Sequence, residues 1–275
     1  MSTYPSQHIR SALFVPGSRP ERFAKALDCG ADCVIVDFED AVEEGLKVQA
    51  RDNLDEFLQA NPEVRLAVRI NAPGHREHAA DIAFCARHPG VSTIVLPKAQ
   101  SAEEIEALAV CVRPIWPLIE SAKGLLALEA ISSAPYVERL SFGALDLALD
   151  LRLENGSLGA DAVMTQARYA IVLHSVNAGL AKPVETVFAD IADTDGLIGA
   201  AENGREMGFG AMLCIHPRQV ETVNSIFAVN ETQLLWARKV LALAETQAGA
   251  FQFEGQMIDA PVLGYARRLV QDSRG

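Results

Sequence analysis

Short apolar runs alternate along this chain with stretches carrying apolar side chains at i, i+3 and i+4. That alternation is the pattern of strands separated by amphipathic helices. Runs at 12–15, 33–37, 66–70, 93–96, 115–119, 139–142, 182–187 and 211–215 predict eight strands, each followed by a helix or a loop leading to one. The runs are nearly continuous rather than alternating in polarity, as expected of parallel strands covered by helices outside and packed side chains inside. Count and length together fit an α/β architecture, a closed (β/α)8 TIM barrel. Punctuation agrees: Pro20 stands at a first helical position after Ser18, Ser101 opens a Ser-Ala-Glu-Glu capping box, and Gly30 follows Leu27 where a C-terminal glycine belongs. Past the eighth run a long helix is expected at 231–247, then a segment holding Gly255-Gln256-Met257-Ile258-Asp259-Ala260-Pro261. The expected organisation is therefore a barrel over 1–248 and a C-terminal helical extension over 249–275, with no internal repeat or linker.

Composition narrows the classes of function. With 275 residues, 49% of them hydrophobic, the chain can bury one large core. A net charge of −12 argues against nucleic acid or an anionic membrane as partner, so any anionic ligand needs a local basic patch. Five cysteines without a Cys-x-x-Cys pair read as reduced thiols. The polar N-terminus has no apolar targeting segment and no window approaches the roughly 20 apolar residues of a membrane span, so a cytoplasmic location is expected.

In a barrel of this kind the site lies at the carboxyl ends of the strands. The polar residues there are Asp37, Glu39 and Asp40 after the second run, Arg69 in the third, Lys98 after the fourth, Glu120 after the fifth, Asp146 beyond the sixth, Glu185 in the seventh and His216 after the eighth. Glu120 and Asp146 are the candidate metal pair, because hard Mg²⁺ takes one or two protein carboxylates and leaves positions for water and substrate oxygens. The alternative is that each carboxylate caps a helix or pairs with an arginine. Arg69 can grip a substrate carboxylate through two parallel N–H donors; its alternative is an ion pair with Asp37, Glu39 or Asp40, a cluster that needs a nearby cation. The first loop, Phe14-Val15-Pro16-Gly17-Ser18-Arg19-Pro20, opens a helix with Arg22 and Lys25, a candidate phosphate seat or an ordinary strand-turn-helix start. His75-Arg76-Glu77-His78 lacks helical i, i+4 pairing and does not read as a metal site.

Several blocks, in order along the chain, resemble one family: Arg10 to Gly17, Gly30 to Val42 with its Asp37-Phe38-Glu39-Asp40 core, Arg69-Ile70-Asn71, Leu96-Pro97-Lys98, Ile119 to Leu125, Phe142 to Leu147, Cys214-Ile215-His216-Pro217 and Gly255 to Pro261. The chain resembles the citrate lyase beta-subunit-like family, with malyl-CoA and citramalyl-CoA lyases, in the HpcH/HpaI aldolase group. The resemblance implies a carbon–carbon lyase that cleaves or forms a 3-hydroxyacyl-CoA-type thioester, giving an acetyl thioester and a 2-keto acid. It implies Mg²⁺ (or Mn²⁺) on Glu120 and Asp146, a keto-acid carboxylate on Arg69, and coenzyme A near Arg19 and Lys25, with Phe14 and Lys98 in the substrate site. It further implies a homotrimer in which Asp259 enters a neighbouring subunit's site as acid/base, a role Glu39 could take instead. The alternatives on the same site are a thioesterase or malate-synthase-type activity, or a subunit dependent on a carrier protein. The chain departs from the family where a lysine is often found, at Met212, and where an aspartate is often found, at Glu185.

Overall fold

Each of the eight apolar runs forms a strand, because a residue pair that buries one side chain inward and the next outward is satisfied only in a sheet with cover on both faces. The computed structural model describes residues 9–247 and 249–273; the expectation for the N-terminal segment falls on residues 1–8, outside these. The strands are β1 (Ser11–Pro16), β2 (Cys33–Asp37), β3 (Leu66–Arg69), β4 (Val91–Leu96), β5 (Ile115–Ile119), β6 (Ser141–Phe142), β7 (Val184–Glu185) and β8 (Ala211–Cys214). They run parallel in sequence order, and β1 closes on β8 through Ser11↔Met212, Ala12↔Leu213 and Leu13↔Cys214. Around them lie α1 (Phe23–Leu27), α2 (Lys47–Ala60), α3 (His78–Arg87), α4 (Ala102–Glu106), α5 (Ala122–Leu126), α6 (Leu128–Ser133), α7 (Ala144–Asp150), α8 (Leu158–Asn177), α9 (Thr194–Met207) and α10 (Pro217–Ile226). The fold is the expected (β/α)8 barrel.

Two cores follow from the alternation of the strands. Ala12, Ile35, Ala67, Val95, Trp116 and Leu213 are among the residues that fill the barrel interior, while Leu13, Val34, Val36, Val68 and Ile94 face the helices. The wall is thinnest at β6 and β7, which pair only at Ser141↔Val184. These strands are shorter than the runs at 139–142 and 182–187; Pro183, just before β7, has no N–H for a ladder, and its carbonyl accepts from Gly210 N–H at 2.9 Å.

Local caps differ from expectation in two places. Ser101 caps α4 by accepting from Glu104 N–H at 3.4 Å, but the Glu104 carboxylate accepts from Gln100 N–H at 2.7 Å rather than closing a reciprocal box. Pro20 begins a three-residue 3-10 turn preceded by Arg19, and α1 starts only at Phe23. Gly30 does adopt the left-handed conformation, with φ of 86°, which glycine reaches without a Cβ clash.

Among the described residues the chain divides into two compact units, one spanning Ile9–Phe227 and the other running from Ala228 to Ser273. The second begins well before the boundary expected at 248/249. The reason is packing within it: α11 (Glu231–Ala244) joins α12 (Ala260–Asp272) around Ala237, Val240, Ile258 and Ala266. Between these helices lies an antiparallel hairpin, β9 (Phe251–Phe253) and β10 (Gln256–Ile258), turned through Glu254 and Gly255 at positive φ. Among the described residues no helix is long and apolar enough to cross a membrane.

Candidate active site

The end of β2 and the end of β3 meet in a buried ion pair. Arg69 donates from Nε and Nη2 to the two oxygens of Asp37, both at 2.7 Å, and lies over the Phe14 ring at 4.7 Å. Asp37 also accepts from the Glu39 and Ala41 amides at 2.9 Å each. Burial alone pushes a carboxyl up; here Arg69 and the two amides outweigh it, and Asp37 lies below its ordinary range. The ion pair weighed against a ligand role for Arg69 is thus present. It occupies one edge of the guanidinium, leaving Nη1 at 3.2 Å from Glu39 Oε2 and 3.7 Å from Asp40 Oδ2.

Glu39 is nearly fully buried, and burial holds its carboxyl above the usual range despite Arg69 and Lys98. Its Oε1 accepts from Lys98 Nζ at 2.6 Å, whereas Oε2 has no hydrogen-bond partner among the described residues. Lys98 follows β4 in the left-handed region, with φ of 52°, an uncommon conformation for a residue with a side chain. In that conformation its backbone N–H donates to Glu120 Oε1 at 2.7 Å.

Glu120, one residue beyond β5, is 3% exposed. Desolvation, followed by the charges of Glu39 and Asp146, pushes its carboxyl up to about 8. Lys98 N–H is its only hydrogen-bond donor among the described residues. Asp146 does not end β6; it lies in the first turn of α7, close enough for its charge to reach Glu120. Gly143 makes the approach possible. A Cβ there would stand 2.5 Å from Glu120 Oε2 and 2.7 Å from Glu120 Cβ, so no side chain fits. Glu120, scarcely hydrogen-bonded and within reach of the Asp146 charge, offers with Asp146 the one or two hard carboxylate oxygens that Mg²⁺ or Mn²⁺ takes from a protein.

Of the residues singled out from sequence, Phe14, Glu39, Arg69, Lys98, Glu120 and Asp146 share this one end of the barrel. Arg19 and Lys25 are exposed. The loop before them is tight, since a Cβ on Gly17 would meet Ala50 Cβ at 2.9 Å and Asp37 O at 3.0 Å. A three-residue turn and the five-residue α1 follow this loop, so any phosphate there would be held by Arg19 and Lys25 rather than by an aligned helix dipole. Asp259 lies in the second unit and caps α12, accepting from Val262 N–H at 3.2 Å. His75 and His78 meet Glu44 Oε2 at 3.1 Å and Asn71 O at 2.7 Å, separate partners within one loop region. Glu185 faces Arg168 of α8, whose Nε donates to Oε2 at 2.8 Å, and Met212 is a buried part of β8.

Sequence reasoning passed over Gly143 and Lys47. The Lys47 side chain is buried and donates to the Phe38 and Glu39 carbonyls at 3.1 and 3.0 Å, pinning the loop that carries the acidic cluster. A lysine in an otherwise apolar helix stripe was the only available signal.

The model of the HpcH/HpaI aldolase/citrate lyase family matches residues 10–217. A citrate lyase subunit beta-like protein of Mycobacterium tuberculosis is 37% identical over 261 residues, covering 94% of this chain and 93% of its own. A (3S)-malyl-CoA thioesterase of Cereibacter sphaeroides is 31% identical over 86% of this chain and 83% of its own. The crystal structure of the CitE protein of Mycobacterium tuberculosis, in complex with magnesium, acetoacetate and coenzyme A, superposes with a TM-score of 0.83 at 36% identity, covering 98% of this chain and 99% of that one.

Proposed function

The chain belongs to the HpcH/HpaI aldolase/citrate lyase family, and from that premise we propose that it is a Mg²⁺-dependent lyase which cleaves, or in reverse forms, a 3-hydroxyacyl-CoA-type thioester of the citryl, citramalyl or malyl class. The observation that carries the reading is the acidic cluster at the strand ends, where Glu120 is pushed up to about 8 by burial and by Glu39 and Asp146. Such a cluster is costly unless a cation joins it. Glu120 and Asp146 would hold the ion. No group of three or more His, Cys, Asp or Glu suited to a metal occurs among the described residues, so water and substrate oxygens complete the shell. When bound, Mg²⁺ supplies a Lewis acid for the hydroxyl or keto oxygen of the substrate.

The protein's own groups supply the remainder. Arg69, fixed by Asp37 and lying over Phe14, would offer the donors not engaged by Asp37, now beside Glu39 and Asp40, to the keto-acid carboxylate. Lys98 balances Glu39 and adds positive charge beside the reacting oxygens. In the cleavage direction the β-hydroxyl proton passes to a base, the C–C pair moves onto the carbon next to the thioester, and that enolate is reprotonated to give the acetyl thioester beside a 2-keto acid. Asp259 of a neighbouring subunit in a homotrimer is the acid/base in this reading, or Glu39, whose carboxyl is held above its usual range by burial. Arg19 and Lys25 would meet the coenzyme A phosphates.

A second reading, thioester hydrolysis on the same site, is favoured by the resemblance to the (3S)-malyl-CoA thioesterase. One experiment separates them: the purified protein is incubated with Mg²⁺, acetyl-CoA or propionyl-CoA, and glyoxylate, pyruvate or oxaloacetate, and products are identified by mass spectrometry beside an EDTA control. An EDTA-sensitive hydroxyacyl-CoA supports the lyase and names its substrate. Free coenzyme A alone supports the thioesterase. No reaction with any pair rejects an autonomous enzyme in favour of a carrier-dependent subunit.

A further inference from the structure

Helix α7 carries Asp146 in its first turn, and its beginning presents a problem of hydrogen bonding. The first four N–H groups of a helix have no partner inside it, and most helices meet part of that need with a Ser, Thr, Asp or Asn at the cap. Here the cap position is Gly143 and no side chain caps it. It has to be glycine, because a Cβ would collide with Glu120. The close approach of Glu120 to this turn therefore removes the residue that would have anchored the helix.

The missing acceptor comes from another strand. Thr186, immediately after β7 and 8% exposed, accepts from Ala144 N–H through Oγ1 at 3.0 Å. This bond continues the wall where it is weakest, just above the single β6–β7 pair at Ser141↔Val184. Thr186 is itself held. Glu185 is 1% exposed and its Oε1 accepts from Thr186 N–H at 2.9 Å, while Oε2 accepts from Arg168 Nε at 2.8 Å. The Arg168 guanidinium lies over Phe142 of β6 at 5.1 Å, the residue before Gly143. Room for the long Glu185 side chain comes from Gly204 on α9, where a Cβ would fall 2.9 Å from Glu185 Cγ.

From this connected set we infer that Thr186 is a positioning residue, capping from β7 the helix that carries Asp146 and thereby fixing that carboxylate against Glu120. The inference rests on the metal reading of Glu120 and Asp146. It gives Glu185 a task the metal pair does not require of it, namely to hold Thr186 rather than to enter the site.

The test uses Mn²⁺ as a paramagnetic probe, with binding to the full-length protein followed by electron paramagnetic resonance and melting in EDTA followed separately. Thr186→Val keeps the shape and removes the acceptor, and is expected to weaken Mn²⁺ binding by about tenfold or more, as loss of an outer support for a metal ligand does. Thr186→Ser restores the acceptor and should bind within about twofold of the unaltered protein. Should the valine variant not fold, Thr186→Ala carries the same comparison. A valine or alanine variant that melts lower but binds Mn²⁺ as tightly as the unaltered protein overturns the inference, as does equal weakening by serine and valine. If the unaltered protein itself binds no Mn²⁺, the metal reading fails first and takes this inference with it.

Discussion

Replacing Glu120 by glutamine should make the metal-free protein more stable at high pH while abolishing its response to Mg²⁺. The carboxyl is shifted from an ordinary value of 4.5 to about 8, and each unit corresponds to about 1.36 kcal/mol. Ionised Glu120 therefore costs the metal-free fold on the order of 5 kcal/mol above pH 8. The sign is fixed by which state binds the proton more tightly. The folded state does, so its stability is fullest below the unfolded value and falls as pH rises from near 4.5 toward 8. Glutamine carries no charge and still accepts from Lys98 N–H. In EDTA at pH 9 the variant should melt higher by roughly 10 to 20 °C, at about 2–4 °C per kcal/mol for a chain of this size, and the gain should shrink toward pH 5. Added Mg²⁺ should reverse the order, stabilising the unaltered protein by mass action and leaving the variant unmoved. The assay is thermal melting at both pH values, with and without Mg²⁺. A variant whose stability gain does not depend on pH refutes the account of Glu120, and one that Mg²⁺ stabilises as strongly as the parent refutes its role as ligand.

Other expectations follow from the same geometry. Metal affinity should rise with pH up to about 8, because the ion must displace a proton from Glu120; calorimetry in buffers of different ionisation enthalpy reads the released proton, and a pH-independent affinity contradicts it. Gly143→Ala should displace the Glu120 carboxylate and lower Mg²⁺ affinity by about tenfold or more, whereas unchanged Mn²⁺ titration shows that the turn yields freely. Arg69→Lys should raise KM for the keto acid by about tenfold or more through loss of the bidentate fork; an unaltered KM with reduced stability leaves Arg69 only as the partner of Asp37. Mixing Asp259→Ala with Glu120→Gln protein should restore part of the activity that each lacks alone if Asp259 serves a neighbouring subunit, and dead mixtures of exchanging subunits speak for Glu39.

The apolar runs determined the eight strands and their parallel order, because a residue buried on both faces of a sheet has to be apolar whatever its neighbours are. Glu120, Arg69 and Glu39 were legible for the complementary reason: a charged residue at the end of such a run can lie only at the rim, whereas Asp146 reaches it from the first turn of α7. Their partners were not. The fork from Arg69 to Asp37 joins two strands, and Arg69 offered Asp37, Glu39 and Asp40 equally until the chain closed the distances. The pairing of α11 with α12 moved the unit boundary because side-chain packing between helices leaves no mark on either helix alone. Gly143 and Thr186 show the limit most clearly. A glycine before a helix and a threonine after a strand are ordinary residues in sequence, and only the approach of β5, β6 and β7 at one end of the barrel turns the first into space for Glu120 and the second into the cap that the first cannot provide.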